Sequence, residues 1–247
     1  LVGLVGSEMC IRDRFIPFFL LFLLILILAI IWRSNARKYI SSGTVASAYD
    51  AWTQDKLLER LWGEHIHLGF YPSGNKNIDF RKAKVQFVHE LVRWSDLDKL
   101  PKGSRILDVG CGIGGSSRIL AKYYGFNVTG ITISPAQVKR ARELTPSGLN
   151  CNFQVMDALN LKFDDGAFDA VWSVEAGAHM NDKTRFADEM LRTLRPGGYL
   201  ALADWNSRDL NAYPPSFIER LVLKQLLEQW VHPCLLYTSD AADELSR

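Results

Sequence analysis

The 247 residues hold only four cysteines, Cys10, Cys111, Cys151 and Cys234. None is spaced from another as zinc ligands are, so neither a disulfide scaffold nor a structural metal module is expected, and a reducing, intracellular setting fits. Net charge is nearly absent too. Lys and Arg total 29 against 27 Asp and Glu, a formal +2, which leaves no basic footprint for nucleic acid. H-E-x-x-H is missing, and His65 and His67 in WGEHIHLG have no cysteine cluster beside them, so no metal ligands are assigned. On an extended segment these two histidines point opposite ways, and at most one is expected to face a site.

What the chain has in quantity is apolar sequence. Phe15 to Trp32, FIPFFLLFLLILILAIIW, carries no charge. As a helix it covers about 27 Å, close to the roughly 30 Å hydrocarbon core of a bilayer, and it predicts a transmembrane helix. No small-residue cleavage site follows Ala29, against a cleaved signal peptide, and an apolar surface on every side argues against a buried core helix. Arg33, Arg37 and Lys38 place the downstream domain on the cytoplasmic side, although Arg12 and Arg14 on the other flank pull the opposite way. Residues 33–43 read as a polar linker.

The two ends match nothing around them. Residues 1–14 and 234–247 show no helical or strand period continuous with their neighbours and resemble sequencing-adapter read-through, so both are expected to be non-native tails. The domain between them, 44–233, is then expected to be incomplete at its C-terminal side.

Within that domain, apolar runs alternate with helical periods. Residues 44–62 and 79–94 predict helices. Ile106 to Val109 is a short apolar run ended by glycines, and a helix is expected from Gly115. Further strands are predicted at 127–133, 151–156, 168–174 and 199–205. Ser134 and Pro135 cap and open the next helix, which runs to about Leu144. Helices follow at 182–194, stopped by Arg195-Pro196-Gly197-Gly198, and at 216–230. Alternation of this kind predicts an α/β fold with a doubly wound, mostly parallel sheet.

Gly110, Gly112 and Gly114 let the backbone turn sharply beyond the first strand, and the helix that follows offers unpaired N–H groups to an anion. Such a turn holds a nucleotide-like ligand at the strand ends of an open sheet. A dinucleotide fold wants G-x-G-x-x-G and an acid ending the second strand. Here Asp108 precedes the turn, and GITIS ends the second strand without an acid. Asp157 after the third strand either accepts from an adenine amino group or caps its turn. Glu175, ending the fourth strand, either faces the reacting centre or caps a loop. His179 is a candidate for proton transfer, with a structural role as the alternative. Tyr49 and Trp52 in VASAYDAWT can cover a cationic ligand with aromatic faces, or pack an amphipathic helix. Asp204 and Trp205 close the fifth strand on the expected acceptor side. Cys111 reads as a small loop filler.

Asp108 with its glycine loop resembles motif I of the class I S-adenosylmethionine (SAM) methyltransferases, a Rossmann-like fold. VASAYDAWTQDKLLERLWGEHIHLGFY, WSVEAGAHM and LRPGGYLALADWN narrow the resemblance to the branch of prenyl-benzoquinol and γ-tocopherol methyltransferases, over about Ser41 to Pro233. That resemblance implies SAM as cofactor, held by Asp108, Gly110, Cys111, Gly112 and Gly114, with Thr132, Ile133 and Gln137 at the ribose and adenosine, Asp157 and Ala158 at the adenine, and Tyr49 over the sulfonium. For the methyl transfer it implies, His179 or Glu175 is the expected base. The acceptor implied is lipophilic, a prenylated benzoquinol methylated on a ring carbon, and the location is a cyanobacterial plasma or thylakoid membrane. The family has seven strands, the last two returning beyond the fifth, and this chain has no match for them.

Overall fold

The computed structural model describes residues 18–30, 40–72, 77–207, 213–230 and 236–237. Five parallel strands form the sheet: β1 (Arg105–Val109), β2 (Asn127–Thr132), β3 (Cys151–Val155), β4 (Phe168–Val174) and β5 (Leu194–Ala203), in the order β3-β2-β1-β4-β5. The helices are α1 (residues 18–30), α2 (Ser42–Gln54), α3 (Leu57–Trp62), α4 (Phe80–Trp94), α5 (Gly115–Tyr124), α6 (Pro135–Leu144), α7 (Lys183–Thr193) and α8 (Phe217–Trp230). Asn206–Ser207 pairs with Leu236–Tyr237 in a separate two-stranded ladder. The rest of the expected tails lies outside the described residues.

Strand alternation assigns each face of the sheet. Ile106, Val128, Ala170 and Trp172 pack with Val88 and Val92 of α4 and Ile119 and Leu120 of α5. Leu107, Val109, Ile131 and Val171 pack on the other face with Phe186 and Met190 of α7. The central strands β1 and β4 are buried on both sides, which is why they read as largely apolar runs. Strand order reverses between β1 and β4, so the crevice of an open sheet falls beyond their carboxyl ends.

Two expectations need correction. The helix predicted over 44–62 is two helices, broken where Lys56 takes φ 52°. Arg195-Pro196-Gly197-Gly198 does not merely stop α7: β5 starts at Leu194 and runs through that turn sequence with a register shift before Tyr199 meets Ala170. Gly197, at φ 70°, absorbs the irregularity. Of the predicted membrane segment, residues 18–30 are described; they are helical and exposed. At 1.5 Å per residue they reach about 20 Å, and no helix among the described residues is long and apolar enough to cross a membrane. Among the described residues β5 pairs only with β4, so it lies at the sheet edge.

Candidate active site

The glycine loop sits at the switch point because two chain segments meet there. Gly110 follows β1 at φ 79°, and a Cβ at that position would stand 2.4 Å from the Cβ of Ala176, just past β4. Its N–H and that of Cys111 both donate to Ile131 O at 2.9 Å, which ties the loop to β2. Gly114 turns the chain into α5 at φ 81°, and there a Cβ would press within 2.6 Å of the Phe153 ring. These two positions need glycine for space as well as for backbone angle.

A cavity of about 470 Å³ opens beside the loop, within the range of small-molecule sites. Asp108, Gly110, Cys111, Gly112, Thr132, Ile133, Gln137, Asp157, Ala158, Tyr49, Glu175 and His179 all line it, as does Trp205. Gly114 does not, because it is turned beneath the loop against Phe153. Trp52 does not either, and packs edge-on against Tyr49, with ring centroids 5.2 Å apart. Leu223, Leu226 and Leu227 of α8 line it as well.

Local bonding gives each group its character. Asp108 is 2 % exposed and accepts from Ser117 Oγ of α5 at 2.5 Å. Burial pushes its carboxyl up to about 7. Cys111 is buried, and that burial lifts its thiol well above the ordinary range, so it stays a protonated filler rather than a nucleophile. Thr132 Oγ1 donates to Gln137 Oε1 at 2.7 Å, and both residues are buried. Asp157 Oδ1 accepts from Leu159 N at 2.9 Å, so the residue caps its turn as well as lining the cavity.

Tyr49 Oη and His179 Nε2 lie 2.8 Å apart, one on α2 and the other on the short helical turn Gly177–His179 after β4. Burial, helped by the negative charge of Glu175, raises the Tyr49 hydroxyl far above its usual value, so its proton stays on. Glu175 holds a left-handed φ of 52°, a strained conformation for a residue with a Cβ. Its Oε1 accepts from Leu68 N at 2.9 Å and its Oε2 from Trp205 Nε1 at 2.8 Å. Those bonds tie three segments together at the cavity wall. Burial nevertheless dominates and raises the carboxyl.

The expectation for the histidine pair is overturned. His65 and His67 both line the cavity, because the chain bends at Glu64 and His67 instead of extending. His65 Nδ1 and His67 Nε2 lie 3.1 Å apart.

Sequence reading missed the groups that hold this loop and the covering helices. Lys84 of α4 donates to Trp62 O at 3.2 Å and His65 O at 2.8 Å. Burial lowers its ammonium to about 8. Arg118 of α5 bonds Glu64 at 2.6 Å and Ile113 O at 2.8 Å. Arg140 of α6 forks onto both oxygens of Glu59 on α3, at 2.6 and 2.8 Å. Asp50 of α2 accepts from Ala136 N and Ser134 Oγ at the start of α6. A charged residue on a polar helix face gives no sequence signal of its distant partner.

Residues 107–202 match the methyltransferase-domain family. The chain is 55% identical over 230 residues to 2-methyl-6-phytyl-1,4-hydroquinone methyltransferase of Synechocystis sp., covering 93% of this chain and 72% of that one. It is 38% identical over 196 residues to a chloroplastic tocopherol O-methyltransferase of Arabidopsis thaliana, covering 74% of this chain and 56% of the relative. The chain therefore spans little more than half of the plant enzyme. Among solved structures, the cyclase SpnF superimposes with a TM-score of 0.69 at 25% identity, over 85% of this chain and 73% of that one. A shared fold carries more than one chemistry, so the assignment rests on the sequence relatives. The chain belongs to the class I SAM-dependent methyltransferases, in the family of 2-methyl-6-phytyl-1,4-hydroquinone methyltransferase, and its cofactor is SAM.

Proposed function

We propose that this chain transfers a methyl group from SAM to a ring carbon of a prenylated benzoquinol. The observation that carries the reading is a single cavity lined by the glycine loop, by leucines of α8 and by the hydrogen-bonded Tyr49–His179 pair. The residues present fit SAM. Gly112 lines the cavity at φ 55°, a backbone conformation that residues with a Cβ rarely adopt, which leaves the loop open toward Gln137. The first turn of α5 offers N–H groups to the methionine carboxylate. The Thr132–Gln137 pair and Asp157, with Ala158, surround the space for ribose and adenine. Tyr49 lends an aromatic face to the sulfonium.

The bound cofactor supplies an electrophilic methyl group. The chain's own task is to hold the acceptor carbon in line, about 3–3.5 Å from that methyl, and to take a phenolic proton. His179 is assigned as the base. Tyr49 keeps its own proton at neutral pH and can pass one between the acceptor hydroxyl and His179 Nε2. Once the phenolic proton has left, the ring carbon carries the electron pair that forms the new carbon–carbon bond. The ring C–H proton is then lost and the phenol is restored. Glu175, with both oxygens already accepting, is assigned to hold the 63–70 loop and Trp205 in place and to lend negative charge near the sulfonium.

A lipid-borne acceptor also gives the apolar N-terminal segment a purpose. We assign it to membrane association, with the catalytic domain on the cytoplasmic side. Its composition and the exposed helix over 18–30 support this reading.

The decisive experiment supplies the chain with methyl-labelled SAM and either 2-methyl-6-phytyl-1,4-benzoquinol or γ-tocopherol. Label is expected in the benzoquinol, on carbon. Label in γ-tocopherol alone would sink the choice of acceptor. Tight binding of SAM with no label in either compound would favour a SAM-binding module without turnover.

A further inference from the structure

The buried histidine pair has a defined pattern of protons. His67 Nδ1 lies 2.7 Å from Leu68 O, which can only accept, so this nitrogen carries a hydrogen and donates it. Burial holds both rings neutral, pushing His67 down to about 4 and His65 to about 3, with Lys84 and Arg118 adding to the effect on His65. A neutral His67 protonated at Nδ1 has a bare Nε2. That nitrogen must accept the 3.1 Å bond from His65, whose own hydrogen is therefore at Nδ1. His65 Nε2 is left as a lone pair. Among the described residues no group pairs with it, and the ring belongs to the cavity wall.

The position of this ring is as specific as its protonation. His65 Cε1 and Nδ1 come within 2.8 and 3.0 Å of where Gly115, the first residue of α5, would carry a Cβ, and Glu64 O comes within 2.5 Å. The loop therefore crosses directly over the helix start to which the methionine carboxylate is assigned above. Lys84, bonded to the His65 carbonyl, and Arg118, bonded to Glu64, fix it there. A bare imidazole nitrogen has nothing to give a carboxylate, but it suits a donor. The α-ammonium group of the cofactor is borne by the same carbon as that carboxylate.

We propose that His65 Nε2 accepts a hydrogen bond from the α-ammonium group of SAM, and that the His67–Leu68 bond positions it by fixing its tautomer. The proposal rests on the placement of the methionine end at α5 and concerns only cofactor recognition. His65 is thus a binding residue and His67 a positioning residue.

The test needs no acceptor. Isothermal calorimetry on the full chain compares S-adenosylhomocysteine with its des-amino analogue, in the wild type and in His65→Phe, His65→Gln and His67→Phe. Hydrogen bonds to charged groups predict that His65→Phe weakens S-adenosylhomocysteine about tenfold. The analogue should bind that variant as it binds the wild type, which also shows that the site remains folded. His65→Gln, which retains an acceptor, should recover much of the loss. His67→Phe should fall between, since His65 is then free to place its hydrogen on either nitrogen. An undiminished preference for the amino group in His65→Phe overturns the proposal, as does equal weakening of both ligands in His65→Phe and His65→Gln alike. Neither outcome touches the choice of methyl acceptor, which the labelling experiment decides by itself.

Discussion

At the scale of single residues, burial pushes Asp108, His65, His67 and Tyr49 toward their uncharged forms. Asp108 is the clearest case. Its folded-state carboxyl titrates at about 7, against about 3.9 in an unfolded chain. The folded state therefore binds the extra proton between those values, and stability falls as pH rises from about 4 to about 7, then levels off. The ionised form costs at most about 4 kcal/mol above that window. Asp108→Asn removes this cost while leaving Ser117 an oxygen to donate to. The variant should melt several degrees above wild type at pH 8, and the gap should narrow at pH 5. Thermal melts across that range check it, and a gap independent of pH would contradict the assigned ionisation. The acid before the glycine turn was legible in the sequence, whereas its neutral character was not, because desolvation depends on α5 lying across it.

At the scale of elements, the sheet and the helices that cover it were legible because their periods differ. Ile106–Val109 and Phe168–Val174 are apolar runs interrupted only by Asp108, Asp169 and Ser173, as central strands covered on both faces tend to be. The loop over residues 63–72 was illegible for the opposite reason. It has no period, and its shape comes from Lys84, Arg118 and Glu175, which lie on three other elements. The same kind of tether governs α2. Asp50 reaches the N-terminus of α6, so the helix that carries Tyr49 and Val45 is held by one side chain as well as by packing. Asp50→Ala should cost about 1–2 kcal/mol, as loss of a helix cap does. It should also weaken S-adenosylhomocysteine binding several-fold by loosening the cover over the cavity. Melting and calorimetry together read this out. A lowered melting temperature with unchanged affinity would mean that α2 contributes stability and not cofactor retention.

At the scale of the whole molecule, the cavity is lined by groups of two kinds, and cofactor and acceptor should be separable by mutation. The polar lining includes Asp108, Thr132, Gln137 and Asp157, while α8 contributes Leu223, Leu226 and Leu227. Apolar contact with a prenyl tail contributes roughly 0.8 kcal/mol for each buried CH₂. A charge placed on that wall must either remain desolvated beside the tail or draw water into its place. Leu223, half-buried on α8, is the residue to change. Leu223→Asp should raise KM for a phytyl acceptor by about tenfold or more, following from the loss of even two buried CH₂ groups. It should leave the Kd of S-adenosylhomocysteine unchanged, because Leu223 is not among the residues assigned to the cofactor. The effect should shrink as the acceptor's tail is shortened, since a shorter tail no longer reaches the altered wall. A KM rise that is the same for acceptors with and without the tail would instead place the ring, and not the tail, against α8, and would reverse the direction in which the acceptor enters the cavity.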